Sequence, residues 1–470
     1  MSVQYKTKSS ISESDPLLAN QSLEGGLQSS LTTDQYGTKD VPTNTPKVIK
    51  GSSWYGASLL LVNAALGAGL LNFPEVFGRA GGIVVATCVQ AVLLAFMLTS
   101  LLALAYCSDV IGSCTYQEVI RSICGERTRR VCAVCIVFYT FGSSVTYLIV
   151  IGDQFDTVLR SLYGMDVCNN WYMRRELTTI VSAICIILPL SFPKRINFLQ
   201  YASSFGVVAL LYVVFLIIYE YFAGNYTPGP VKTSPTVWTD IFLVIPTICF
   251  GYECHVSSVP IYSCLADRRV VNFLRTVLVA IALCAFTYSV AAAAGYLTFG
   301  SYATSDILES YDAKDTVVMV GTAALGAKMF TNYPMVMFCG RTAIDDLYIE
   351  TRGISRDEAV KDERCRRIII VIIWFSSSLT LALVIPNIGI LIEFVGSLAA
   401  IFIFVFPGLC LLKVTLKKNP DLAGFKDKFL VLWSTFFLTI GTFIFFLVLT
   451  QALIKDISGK SIAGKPNPCR

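Results

Sequence analysis

The chain has 470 residues, 54% hydrophobic and 15% charged, with a mean hydropathy of +0.64 and a net charge of +5 at pH 7. Soluble domains carry about 25% charged residues, so a soluble multidomain protein is excluded, and the basic residues sit in short stretches between apolar blocks rather than in a nucleic-acid-binding patch. One histidine rules out a multi-histidine metal site, and the 16 cysteines lie mostly inside apolar blocks without metal-ligand spacing, so no transition metal is expected.

Residues 1–53 are polar and rich in Ser, Thr, Asn and Gly, which predicts a disordered cytosolic tail. The first long apolar run starts at Trp54, too far in and too long for a signal peptide. Within the tail, Glu13 stands four residues before the pair Leu17–Leu18. That spacing is the pattern of an endolysosomal sorting signal, an address read by clathrin adaptors rather than an anchor.

A bilayer core takes about 20 apolar residues per helix. Eleven blocks meet that need, at 54–77, 82–107, 131–152, 177–192, 198–221, 240–262, 273–299, 316–338, 368–385, 390–412 and 429–454. The expected architecture is therefore an all-α integral membrane protein with eleven transmembrane helices. Spans 1–5 fill 54–221 and spans 6–10 fill 240–412, joined by the loop 222–239. A connecting loop and an eleventh helix occupy 413–454, and a luminal or extracellular tail occupies 455–470. With the N-terminus in the cytosol, cytosolic segments hold 26 Lys and Arg and the opposite side holds 10, with Lys328 inside span 8. This bias fixes the expected orientation. The sequon Asn225-Tyr226-Thr227 then falls in the outer loop, where Asn225 is a glycosylation candidate.

Span 1 contains Asn63-Ala64-Ala65-Leu66-Gly67-Ala68-Gly69-Leu70-Leu71-Asn72-Phe73-Pro74. Its two glycines each cost about 1 kcal/mol against alanine in a helix, and Pro74 lacks the N–H a helix needs. Span 6 carries a matching interruption, with Pro246, Phe250, Gly251, Tyr252, Glu253, His255 and Pro260. Unpaired backbone groups cost several kcal/mol in lipid, so unwound stretches must face protein or a cavity. The second break lies five spans after the first, at the start of the second set of five. An odd number per half makes the halves inverted repeats, and paired breaks are the sequence pointer to a transporter site. Half-helix N-termini attract a carboxylate, and free carbonyls attract a cation or an ammonium group.

These residues resemble the sodium-coupled neutral amino acid transporters. The segments Asn63–Pro74 and Thr247–Tyr262 match helices 1 and 6 of that family; Thr115–Val119, Ile151–Gln154, Thr331–Arg341 and Phe402–Leu411 also fit. The similarity runs from about 54 to 454 and is greatest to the family's lysosomal branch, which exports glutamine and asparagine. It implies the inverted-repeat fold of the bacterial leucine transporter plus one extra helix. It also implies cation-coupled movement of a neutral amino acid by alternating access, from lysosome to cytosol. By the same resemblance, Gly67, Ala68 and Gly69 would meet the substrate carboxylate, and Phe250, Tyr252 and His255 the side chain or ammonium. Asn63, Leu66, Thr331 and Asn332 would hold sodium. No cofactor is implied beyond the coupling ion, Na+ or H+, and a monomer in the bilayer is expected.

Several ionisable residues carry two readings. Lys328 lies one turn before Thr331 on the same helix face. It either carries a proton or replaces the cation, or else snorkels or pairs with Glu253 or Glu393. Glu253 is itself a candidate for proton or cation binding. His255 either senses pH or bonds the broken backbone as a neutral ring. Asp153 and Asp156 read as a solvated helix end, and Glu118 with Arg121 as an i,i+3 ion pair. The alternatives to a lysosomal exporter are a proton-coupled or sodium-independent transporter at the plasma membrane and an amino acid sensor. A membrane enzyme lacks the necessary constellation of acid, base and nucleophile.

Overall fold

The computed structural model describes residues 52–457 except 165–166, 168–169, 195–198, 386 and 422–423. The sorting motif at Glu13, Leu17 and Leu18 and most of both terminal tails, 1–51 and 458–470, lie outside the described residues. The described residues from Trp54 onward are helical or connecting loop, apart from one isolated parallel bridge between Ser52 and Leu265.

The first span begins as α1 (Trp54–Ala65), capped by the Ser53 hydroxyl, which accepts the Gly56 N–H at 3.3 Å. It unwinds at Leu66 and Gly67, both extended, and resumes as a 3-10 turn, Ala68–Asn72, followed by α2 (Phe73–Arg79). Pro74 sits in the first turn of α2, where its missing N–H has no partner to lose. The two halves meet at 53°. Next come α3 (Ile83–Ile111), the short α4 (Tyr116–Cys124) and α5 (Glu126–Tyr163). Then α6 (Arg175–Ser182) passes through a π-helical segment, Ala183–Ile187, into a last turn, Leu188–Ser191, and α7 (Leu199–Ala223) follows.

The sixth span repeats the interruption. A 3-10 turn, Trp238–Val244, leads into α8 (Ile245–Gly251), again with proline in the first turn. The chain leaves helical geometry at Tyr252–Cys254 and restarts as α9 (His255–Ser263). The long helices that follow are α10 (Val270–Phe299), α11 (Thr316–Arg352), α12 (Glu363–Val384), α13 (Ile388–Ala400), which runs through a π segment, Ile401–Val405, into α14 (Phe406–Lys418), and α15 (Phe425–Ile457).

Among the described residues, eight helices are long and apolar enough to cross a membrane, nine when the bent first pair counts as one. Two of the eleven expected spans fall short of that measure. Residues 175–191 form three short pieces, and the apolar run of α11 is diluted by Lys328, Asn332 and Tyr333. Several helices overrun their expected ends. Helix α11 runs on to Arg352, and α5 continues to Tyr163 and carries Asp153 into the interior, where its carboxylate pairs with Arg175 at 2.8 Å. Asp153 is thus no solvated helix end; Asp156 pairs with Arg160 at 2.9 Å. On α4 the expected Glu118–Arg121 pair is replaced. Arg121 reaches Glu126 at 2.7 Å, and Glu118 accepts the Cys114 N–H at 3.4 Å across the helix start.

The interrupted helices form the middle of the bundle. Helix α8 packs on α13, and α1 packs on α10. Phe215, Phe286, Ile373 and Phe446 are exposed and turn apolar surface outward from α7, α10, α12 and α15, as lipid contact requires. Between α8 and α13 the backbones touch: a Cβ on Gly396 would sit 2.1 Å from the Pro246 carbonyl oxygen. Small residues permit such approaches between helices in lipid. Gly396→Leu is expected to lower stability by about 1–3 kcal/mol through overpacking, seen as a lower melting temperature of the purified protein. Gly326→Ala is the control, since an added Cβ there meets only Gln154 Cβ at 3.6 Å.

Candidate functional site

Interrupting two helices releases backbone groups that must find partners inside the protein. The last carbonyls of α1 and α8 and the first N–H groups after each break have none within their helices. One side chain serves several of them. Tyr288, on α10, is fully buried, with its ring stacked on Phe73 at 4.5 Å between centroids and edge-on to Tyr252 at 5.0 Å. Its hydroxyl lies 2.9 Å from the Ala65 carbonyl and 2.9 Å from the Gly251 carbonyl, and it accepts the Gly67 N–H at 3.2 Å. Both breaks therefore close on one oxygen atom.

Direct packing completes the junction. A Cβ on Gly69 would lie 3.1 Å from Gly251 Cα and 3.3 Å from the Phe250 ring. Glycine at both positions lets the two unwound backbones touch. On the α2 side, the Thr247 hydroxyl donates to Asn72 Oδ1 at 2.9 Å, a second cross-link between spans 1 and 6. On the α3 side, Gln90 Nε2 donates to the Tyr252 hydroxyl at 2.6 Å, and the Ser289 hydroxyl donates to Gln90 Oε1 at 3.2 Å.

Each end of the bundle is closed by a polar cluster. Beyond Asn72, Arg79 pairs with Glu393 at 3.1 Å and Glu75 at 3.5 Å, and the Ser305 hydroxyl donates to Glu75 at 2.8 Å. At the opposite end, the Tyr262 hydroxyl donates to Asp109, which also pairs with Arg268 at 3.2 Å.

Of the residues expected from the sequence, Gly67, Ala68, Gly69, Phe250 and Tyr252 come together around Tyr288. His255 stands apart: its ring is fully buried, and neither nitrogen has a hydrogen-bond partner among the described residues. The expectation that its ring bonds the broken backbone is thus corrected. Its backbone N–H is instead satisfied by Glu253, whose Oε1 accepts from His255 N at 3.1 Å and Val256 N at 3.4 Å. A carboxylate at the start of α9 sits where the helix dipole favours it.

Lys328 also departs from expectation. It pairs with neither Glu253 nor Glu393; Nζ donates to the Leu66 carbonyl at 2.8 Å, and the residue is only 2% exposed. Glu393 is taken by Arg79, and Glu253 by the start of α9. Leu66 is the capping residue at the end of α1, so the ammonium meets the negative end of a helix dipole. Asn63 is half-buried on α1, one turn before Leu66. Thr331 donates its hydroxyl back to the Lys328 carbonyl at 2.8 Å, and Asn332 neighbours the Tyr147 hydroxyl. Asn225 is exposed in the loop after α7.

Tyr288, Gln90, Thr247 and the Glu75–Arg79–Glu393 cluster were not anticipated from the sequence. The available signal was a tyrosine among small residues in an apolar span. A buried Tyr hydroxyl normally finds a partner, but its partners here are backbone atoms.

The arrangement presents two fields. Carbonyl oxygens at the ends of α1 and α8 converge on one point, and the turn Ala68–Asn72 begins beside them with N–H groups that lack intrahelical acceptors. The first field suits an ammonium group and the second a carboxylate, held at a short separation.

The family model for transmembrane amino acid transporter protein matches residues 50–454. The chain is 40% identical to the sodium-coupled neutral amino acid transporter 7 of Danio rerio, covering 87% of this chain and 88% of that one. With the protein of the same name from Homo sapiens the identity is 39%, over 86% and 89%. Among solved structures, MhsT in complex with L-phenylalanine aligns with a TM-score of 0.51 at 15% identity, covering 86% of this chain and 99% of that one. At this identity the likeness speaks to the fold.

Replacing Tyr288 by Phe keeps the ring and deletes the shared oxygen. Stability is expected to fall by about 1–3 kcal/mol, the cost of leaving buried groups unpaired. Thermal melting checks this, with Tyr302→Phe, at an exposed position, expected to be neutral.

Proposed function

The chain belongs to the transmembrane amino acid transporter family and, within it, to the sodium-coupled neutral amino acid transporters; from that premise we propose that it moves neutral amino acids, glutamine and asparagine foremost, as a secondary transporter working by alternating access. The observation that carries this reading is the convergence of two broken helices on Tyr288. A zwitterion needs a donor field and an acceptor field side by side. The turn that starts at Ala68 supplies donors for the carboxylate, and the carbonyls of Ala65 and Gly251 supply acceptors for the ammonium. Phe250, Tyr252 and His255 are the candidates for side-chain selection.

Alternating access requires a barrier on each side that opens in turn. Arg79 pairs with Glu393, which joins α2 to α13, and with Glu75 within α2, and this cluster forms one barrier. The Asp109–Tyr262–Arg268 cluster joins α3 to the end of α9 and forms the other. Both link one of the interrupted spans to a continuous neighbour, so movement of a half-helix breaks one and spares the other.

The excess of Lys and Arg on one side supports a cytosolic N-terminus and a luminal C-terminus. The exposure of Asn225 is consistent with glycosylation on the luminal side. The Glu13–Leu17–Leu18 motif supports a lysosomal address and, with it, export from lysosome to cytosol, with clathrin adaptors as the sorting partners.

Purified full-length protein in liposomes is expected to take up radiolabelled glutamine saturably, with asparagine competing. Gly69→Val, which would drive a side chain into Gly251 and Phe250, is expected to reduce uptake about tenfold or more. Uptake no greater than into empty liposomes, under every imposed ion gradient, would refute transport. In cells, Leu17→Ala with Leu18→Ala is expected to redistribute the protein to the plasma membrane, read by surface biotinylation; unchanged lysosomal staining would remove the sorting signal from the account.

A further inference from the structure

The relatives of this chain carry sodium in their names, and the resemblance places a sodium ion against Asn63, Leu66, Thr331 and Asn332. The side chains present do not fit that ion. The Leu66 carbonyl, which ends α1 at the break, already accepts the Lys328 ammonium at 2.8 Å. The lysine reaches it along a built path: a Cβ at Gly206 on α7 would stand 3.0 Å from Lys328 Cγ, 3.2 Å from Cδ and 3.3 Å from Cε. The stem thus runs against a glycine, where an added Cβ would crowd it and make it give by a few tenths of an ångström. None of the ion pairs among the described residues includes Lys328. What faces the ammonium is the negative end of α1. The Thr331 hydroxyl, one turn on, is turned back to the Lys328 carbonyl.

A second cation at the same carbonyl would stand within a few ångströms of the first, in a site 2% exposed. Like charges at that range repel strongly where water is excluded. We infer that Lys328 is the resident cation of the helix-1 break: its ammonium, tethered to α11 and held by Leu66, takes the position of the sodium ion and makes substrate binding independent of sodium. This rests on the reading of the chain as a neutral amino acid transporter. It assigns Lys328 a positioning role, since the ammonium acts on the end of α1 and through it on the turn at Gly67–Gly69.

Two measurements on purified full-length protein test this, both at constant pH and ionic strength with choline replacing sodium. The first is glutamine binding by scintillation proximity. The wild type is expected to bind equally with and without sodium, whereas Lys328→Gln, which vacates the carbonyl, is expected to lose about tenfold in affinity in choline and regain it in sodium but not in potassium. The second is thermal melting without substrate. Sodium is expected to shift Lys328→Gln upward and to leave the wild type where it stands in choline. A sodium-selective shift in the wild type, or a tenfold loss of its glutamine affinity on sodium removal, overturns the inference. So does a folded Lys328→Gln that is as indifferent to sodium as the wild type. If that variant does not fold, the wild-type arms still decide. If no neutral amino acid binds under any condition, the transport reading fails, while the melting arm continues to judge Lys328 by itself.

Discussion

The whole arrangement hangs on one obligation: a backbone group that leaves a helix inside a membrane protein must be met by another group of the same protein. Four such groups gather in this chain within a few ångströms, the carbonyls of Ala65, Leu66 and Gly251 and the N–H of Gly67. Two side chains meet them, the Tyr288 hydroxyl and the Lys328 ammonium. They come from α10 and α11, which remain unbroken. Intact helices thus supply what the broken ones lack. This explains why the interruptions do not unravel, and why glycine is found wherever the unwound strands touch each other.

Much of this organisation was legible in the sequence, because glycine and proline announce a break by their own chemistry. The pair at Gly67 and Gly69 with Pro74, and Gly251 between Pro246 and Pro260, located both interruptions to within a few residues. The stabilising partners were far less legible. Lys328 is visible in the sequence as a charge in an apolar span, and the carboxylates Glu253 and Glu393 are the counter-charges a sequence offers. Its real partner is a main-chain oxygen, which every residue carries and no letter distinguishes. Tyr288 escaped notice for the same reason. Glu253 was singled out as costly at depth, yet its cost is met by the N–H groups of His255 and Val256. The limits of the helices were blurred for a different reason: composition measures apolar runs, and α5 continues past its apolar run because Asp153 finds Arg175.

The two breaks are not equivalent. In the sixth span the N-terminal end of the second half-helix, α9, already holds a carboxylate, that of Glu253. In the first span the corresponding end, at the turn Ala68–Asn72, holds none among the described residues. The same asymmetry appears among the cations: the end of α1 has Lys328, while the end of α8 has, among the described residues, a share in the Tyr288 hydroxyl. The chain therefore fills one anion position and one cation position itself. It leaves one of each on opposite sides of the Gly69–Gly251 contact.

Tyr288 sharpens that asymmetry into a requirement. A phenol has one proton, and it faces two carbonyl oxygens at the same 2.9 Å distance, Ala65 and Gly251. It satisfies one fully only at the expense of the other, so one acceptor is always short of a donor. The cheapest relief, in a site flanked by ion pairs at both ends, is a group that brings several donors of its own. A protonated amine does this with three. Its arrival would let the hydroxyl turn wholly to one break and take the second carbonyl for itself, loosening an oxygen that both interrupted spans share. Binding and release of the two half-helices are then one event, the coupling that a transporter needs between recognising its substrate and changing which side of the membrane it faces.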